Sequence, residues 1–278
     1  MKRIFILLML LFGSGCTHMI FQPQKGYYLN PQKAEQALDI KLENVYFKSS
    51  DGTQLHGWFM PNRVGKKKGT IMFLHGNAQN ISAHVAFVWW LPRNGYDVFI
   101  FDYRGYGRSE GEAELDGVQL DVQSAMATLV ARKDIHPTNL VLYGHSLGGA
   151  LAITGLADSA YRERFKLLIV ENSFTSFRTV AREALGSFWL TWLFQYPLSW
   201  TISDDYKPID AISRISPIPV LLIHGDADPI IGPYHSGELY AAAKQPKEFW
   251  LVAGGNHNSM QNAQQRERLL TYLDKILK

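Results

Sequence analysis

A single cysteine, Cys16, stands in a chain of 278 residues, so no intramolecular disulfide can form. Stability must come from the core instead. No basic block exceeds Lys66-Lys67-Lys68, and the formal net charge is only +3. Flanked by Gly65 and Gly69, that triplet reads as a solvated turn, and nucleic acid is a poor partner. Side-chain clusters with metal-ligand spacing are missing, which implies no metal and no organic cofactor. Internal repeats and low-complexity tracts are absent too. What is present is ordinary for a globular chain: 46% hydrophobic and 19% charged residues. That composition excludes a disordered protein, and the length suits one large α/β domain.

The N-terminus carries the first positive signal. Met1-Lys2-Arg3 is basic, Ile4 to Phe12 is an unbroken apolar run, and Gly13-Ser14-Gly15 leads to Cys16. The run is far shorter than the roughly 20 residues of a membrane-crossing helix but suits a signal segment. The arrangement resembles a bacterial lipoprotein signal, with Gly13 standing where that family usually has leucine. The resemblance implies a signal peptide over residues 1–15 and acylation of Cys16. It also implies membrane attachment through the lipid, in the bacterial cell envelope facing the periplasm or the surface. A plain secretory signal or an uncleaved anchor is the other reading. Residues 16–40 are expected as a tether, of which Phe21 to Gln36 is either free or an arm packed on the domain.

From residue 41 to 278 short apolar runs alternate with amphipathic segments. Val45 to Ser49 and Leu55 to Met60 predict an antiparallel pair around Asp51-Gly52. Six further runs read as strands buried on both faces: Ile71 to Leu74, Val98 to Phe101, Leu140 to Tyr143, Leu167 to Val170, Val220 to Ile223 and Phe249 to Val252. The intervening segments read as helices, which predicts an α/β fold: a mostly parallel twisted sheet of about eight strands, with helices on both faces. One connection breaks the rhythm. Residues 174–216 are much longer than a usual crossover and hold Phe174, Phe177, Phe188, Trp189, Trp192, Phe194, Tyr196 and Trp200. Such a segment is either extra core or a lid; because it leaves a strand's C-terminal end, where α/β sheets bind ligands, a lid is expected.

Gly144-His145-Ser146-Leu147-Gly148-Gly149 contains G-x-S-x-G between an apolar strand and an Ala-rich helix. A sharp strand-to-helix turn strains Ser146, exposes its hydroxyl and sets it over a helix N-terminus. A serine needs a base, and His257 follows the last strand, at the sheet edge where the elbow also emerges. The orienting acid should follow the strand between, where Asp226 and Asp228 both stand. Oxyanion donors are expected from the backbone N–H groups of Leu147 and Asn77, the latter in His75-Gly76-Asn77-Ala78. His75 is expected to support that loop.

These motifs, with Asp102-Tyr103-Arg104-Gly105-Tyr106-Gly107-Arg108-Ser109 and Glu171-Asn172-Ser173-Phe174-Thr175-Ser176, run in order along nearly the whole chain. The sequence resembles the α/β-hydrolase superfamily. Within it, the likeness is to single-domain membrane-associated serine hydrolases, the depalmitoylase-like ABHD and serine aminopeptidase-like branch. The resemblance implies Asp228 as the acid, three residues beyond His224-Gly225, with Glu171 a distant rival. Asp102 and Arg104 look structural.

The expected activity is hydrolysis of a carboxylic ester or thioester of a small-molecule or acyl substrate, through Ser146, His257, Asp228 and an acyl-enzyme. A serine aminopeptidase or amidase is the rival within enzymes. A non-catalytic envelope lipoprotein is the rival outside them.

Overall fold

The structure is a computed structural model and describes residues 20–187 and 189–278. The expected signal peptide over 1–15, the acylation site Cys16, and Phe188 lie outside the described residues.

Eight strands form one sheet: β1 (Glu43–Lys48), β2 (Gln54–Met60), β3 (Gly69–Leu74), β4 (Tyr96–Asp102), β5 (Leu140–His145), β6 (Phe165–Glu171), β7 (Val220–Gly225) and β8 (Lys247–Val252). Their order is β8-β7-β6-β5-β3-β4-β2-β1. Only β2 runs against the rest, pairing antiparallel with both β1 and β4. The predicted α/β fold and its eight strands are therefore observed. The β1–β2 turn forms at Asp51-Gly52, with Gly52 at φ +92, a left-handed conformation that favours glycine.

Alternation along each strand builds two cores. Met72, Leu74, Phe99, Phe101, Leu142 and Leu168 face one side. Ile71, Phe73, Val98, Ile100, Val141 and Leu167 face the other. Successive side chains of a strand point to opposite faces, so both faces must be covered by helices. Helices α2 (Ile81–Val88) and α9 (Ala263–Ile276) contribute to the second core, and α3 (Leu115–Ala131), α4 (Leu147–Ala157) and α8 (Tyr234–Ala242) to the first. Helix α4 is buried along its entire length, as its all-round apolar sequence requires.

The chain passes from β3 to β4 on one side and later returns to place β5 on the other. A crevice opens at the C-terminal ends of strands where the winding reverses in this way. Here those ends are Leu74, which leads into His75-Gly76-Asn77, and His145, which leads into Ser146.

Two segments frame that crevice. Residues 20–28 lie along the domain: Gln22–Pro23 pairs with Ala78–Gln79, Phe21 is buried, and Asn80 Nδ2 donates to the carbonyls of Gln24 and Gly26. Helix α1 (Pro31–Leu38) follows, capped by the Asn30 side chain. Between β6 and β7 run α5 (Phe177–Ser187), α6 (Gln195–Ser199) and α7 (Pro208–Ala211). Phe174 and Phe177 of this segment belong to the core, whereas Trp189, Trp192, Phe194, Tyr196 and Trp200 are each more than half exposed. Among the described residues no helix is long and apolar enough to cross a membrane.

Candidate active site

Ser146 joins β5 to α4 with φ 55 and ψ −119, a conformation most side chains avoid. Close backbone contacts enforce it. A Cβ at Gly144 would stand 2.2 Å from the Gly148 carbonyl oxygen, and one at Gly148 would stand 2.0 Å from that of Leu74. Only glycine fits at either place. The Ser146 N–H donates to the Glu171 carbonyl at 2.8 Å, and Ser173 Oγ donates to the Ser146 carbonyl at 2.9 Å. β6 thus clamps the turn from the side.

His257 Nδ1 lies 2.8 Å from Asp228 Oδ2. The carboxylate is an acceptor, so Nδ1 carries the proton and Nε2 keeps a lone pair. Asp228 also accepts from Asn172 Nδ2 at 2.6 Å and from the N–H groups of Ile230 and Ile231 at 2.8 and 3.1 Å. His224 Nε2 stands 3.4 Å from the same oxygen as His257. Burial pushes the Asp228 carboxyl up, but hydrogen bonds from His224, His257, Asn172 and Ile230 outweigh it and hold it well below the usual range. The acid stays ionised.

The other two acids point elsewhere. Asp226 Oδ1 accepts the Gly254 N–H at 2.7 Å, which pins the loop carrying His257. Glu171 is fully buried, accepts from Tyr143 and from the Met260 N–H, and is raised by burial. Neither reaches the imidazole.

His145 secures His257 from the elbow side. Its Nε2 donates to the His257 carbonyl at 2.8 Å, and the two rings meet edge to face at 4.9 Å. Burial, with the adjacent His257, pushes His145 down to about 3, so it is neutral at ordinary pH. Among the described residues no hydrogen bond joins the Ser146 hydroxyl to the His257 ring. In unliganded sites such bonds are often long, and they tighten when substrate binds.

Leu147 opens α4, so its N–H has no acceptor within the helix. The Asn77 side chain is turned to the chain around it: Oδ1 accepts from the Gln22 N–H and from Tyr106, and Nδ2 donates to the Ile20 carbonyl. His75, as expected, supports this loop, buried with Nδ1 on the Gly76 carbonyl at 2.7 Å and its ring against Tyr103.

Ser146, Leu147 and Asn77 line one cavity of about 780 Å³. Its walls are Val180, Ala181, Ala184 and Leu185 of α5, then Leu198 and Ile202, with Ile230 and Ile231 opposite. Ile20 and Gln22 line it too, and among the described residues no charged side chain does. A shallower cavity of about 470 Å³ lies between Trp250 and α9, remote from the elbow. Among the described residues no group of three or more His, Cys, Asp and Glu side chains could hold a metal ion.

A family model described as serine aminopeptidase, S33, matches residues 65–214, just over half of the chain. The protein belongs to the S33 family of α/β hydrolases. The matched stretch contains Asn77, Ser146 and most of the β6–β7 segment, while Asp228 and His257 lie beyond its end. Among relatives of this S33 hydrolase, the YfhR protein of Escherichia coli K12 is 37% identical, covering 92% of this chain and 87% of its own. The α/β hydrolase domain-containing protein WAV2 of Arabidopsis thaliana is 33% identical over 80% of this chain and 73% of its own. Among solved structures, the Pyrococcus furiosus esterase Pf2001 superposes with a TM-score of 0.74 at 20% identity, covering 92% of this chain and all of that one. Acetyl xylan esterase 1 of Thermoanaerobacterium gives 0.66 at 15% identity, covering 94% and 98%. These likenesses at low identity concern the fold.

Three contributors to the S33 hydrolase's site carry no role in the sequence reading. Asn172, at φ 48, was part of a motif without an assigned task. His224 and His145 each belong to a motif as well, likewise without an assigned task. An amide-bearing residue at the end of a strand beside the acid's strand was the only available hint.

Proposed function

We propose that the protein is a serine hydrolase that cleaves carboxylic esters or thioesters carrying an apolar acyl group. One arrangement carries this: Ser146 is strained and lines the pocket, its chain neighbour His145 is bonded to the His257 carbonyl, and the His257 Nδ1 is bound to an ionised, buried carboxylate. In the proposed reaction Ser146 Oγ attacks the acyl carbonyl while His257 Nε2 takes its proton. Asp228 stabilises the resulting imidazolium, and the N–H groups of Leu147 and Asn77 receive the oxyanion. His257 then protonates the departing alcohol or thiol, and water releases the acid from the acyl-enzyme by the same steps. The ester preference draws support from the cavity lining. An aminopeptidase must hold a protonated amine, and among the described residues no carboxylate lines this cavity.

The proposal extends to location. Residues 1–15 act as signal peptide, Cys16 is acylated and anchors the protein in the bacterial envelope, and residues 41–278 form the catalytic domain with 174–216 as its lid. The likeness to membrane-associated members of the superfamily supports this part, as does the apolar run Ile4 to Phe12. Replacement of Cys16 by Ser should release the protein from membranes or block its processing. A variant that fractionates as the wild type does would remove lipidation as the anchor.

Catalysis is tested with a fluorophosphonate probe and graded substrates. Labelling should occur in the wild type and vanish in Ser146→Ala. p-Nitrophenyl esters should be cleaved in preference to aminoacyl-nitroanilides. The reverse preference would favour the aminopeptidase reading, and a folded wild type that neither labels nor turns over would favour a binding protein.

A further inference from the structure

The outer surface of the β6–β7 segment is the most apolar exposed region among the described residues. Leu190, Trp192, Leu193, Phe194, Tyr196 and Trp200 are 55 to 72% exposed, and no charged residue or histidine occurs from Ala184 to Ser203. Soluble surfaces rarely gather so many apolar side chains in one place without a partner. Thr191 and Leu198, within the same stretch, line the cavity above Ser146. The patch is thus the outside of the wall whose inside is the pocket.

A second, independent observation lies at the pocket's edge. Ile20 and Gln22 line the same cavity and are fastened there through Asn77. The chain therefore enters the domain at the pocket, not at its far side. Cys16 stands four residues before Ile20, so the two are separated by no more than about 14 Å of extended chain. The apolar run Ile4 to Phe12 ends eight residues before Ile20. Whichever of them meets a membrane, the membrane surface lies close to the pocket rather than at the end of a long leash.

From these two observations we infer that the 189–200 surface docks on a lipid bilayer, with the pocket above Ser146 opening toward it. Composition favours a bilayer over a second copy of the chain. Three tryptophans and a tyrosine, apolar bodies with polar tips, are the residues that settle at a membrane–water interface. A surface-bound element of this kind inserts its apolar face to a shallow depth, which suits side chains on short helices. Resting on the hydrolase reading, the inference also narrows the substrate: an acyl ester or thioester whose chain lies in the bilayer, so that it passes from lipid into an uncharged pocket without crossing water.

The test uses the full chain on phosphatidylcholine vesicles with and without shallow acyl-chain bromination. Of the seven tryptophans, Trp58, Trp90 and Trp250 are buried, and Trp189, Trp192 and Trp200 are exposed. Brominated lipid should cut wild-type fluorescence by roughly a third or more, since interfacial tryptophans sit within reach of shallow bromines. The double variant Leu190→Glu/Leu193→Glu retains every tryptophan and should lose most of that quenching. Its hydrolysis of a water-soluble short-chain ester should match the wild type. On a long-chain ester embedded in the vesicles it should fall about tenfold or more, a loss confined to substrate capture. Unquenched wild-type fluorescence, or equal quenching in the double variant, would overturn the docking surface. Tryptophans shielded from lipid in a concentration-dependent dimer would assign the face to a second copy and overturn it too. Absence of turnover on either ester would defeat the hydrolase reading while leaving the quenching result to judge the surface.

Discussion

The side-chain amide of Asn172 and the ring N–H of His257 converge on one oxygen of Asp228, at 2.6 and 2.8 Å. An anionic oxygen held by a second donor cannot turn away from the imidazole, so Asn172 positions the acid without reaching a substrate. Asn172→Gly removes the amide and tolerates the positive φ of 48. Steady-state kinetics on a soluble ester should show kcat/KM lower by about tenfold, in keeping with ~1.5 kcal/mol for a hydrogen bond to a charged group. KM should change little. An unaltered kcat/KM would reduce Asn172 to a plug at the strand end.

Strain at the elbow is measurable as stability. Ser146→Gly relieves a left-handed backbone that costs about 1–3 kcal/mol, against a smaller entropic loss from the freer unfolded chain. The melting temperature should rise by about 2–4 °C, while ester hydrolysis disappears. Ser146→Ala, which keeps the Cβ, should melt with the wild type. Calorimetry of the two variants side by side distinguishes relief of strain from loss of the hydroxyl.

Three histidines buried beneath the site set an acid limit on the fold. Burial pushes His84 down to about 4 and His145 to about 3, and places His75 well below its ordinary value. In the unfolded chain each binds a proton near pH 6.5. Because the folded values lie lower, the unfolded state takes up the extra protons, and stability falls as pH drops below about 6.5 toward the folded values. Urea unfolding between pH 7 and 5 should reveal a proton uptake approaching three from this cluster. His145→Asn should lower that uptake by one. An unchanged slope in the variant would mean that His145 stays protonated in the native state.

Arg104 holds the loop after β4 in a buried ion pair. Its guanidinium bonds Asp121, whose side chain is fully buried, at 2.8 Å, and Asp51 at 2.8 Å. Arg104→Met leaves Asp121 without its counter-charge and should destabilise the fold by about 3 kcal/mol. The double variant Arg104→Met/Asp121→Leu should recover part of that loss. Chemical denaturation of the single and double variants measures both. A single variant as stable as the wild type would show the pair to be dispensable.

Much of the architecture was legible before any coordinates. The six inner strands coincide with short apolar runs, because strands buried on both faces have few polar positions to disguise them, whereas the edge strands β1 and β8 are only partly buried, β8 against expectation. The turn at Ser146 announced itself through glycines that close backbone contact requires. Helix ends were less legible: α2 stops at Val88 although Trp89, Trp90 and Leu91 prolong the apolar stretch, and α9 begins only at Ala263. Such ends depend on local capping, which periodicity does not register.

The sequence by itself determined the α/β layering and the order in which serine, acid and histidine candidates follow their strands, since periodicity and turn residues act over short range. The tertiary structure alone decided which contacts those side chains make. Asp226 and Asp228 are the same residue type two positions apart, yet one braces the Gly254 loop and the other meets His257. The difference comes from how β7 and β8 lie side by side. The same holds for the aromatic stretch, whose exposure on the outside of the pocket wall depends on packing between segments far apart in the chain. A linear pattern encodes which residues must leave water, and only the folded surface establishes which of them could not.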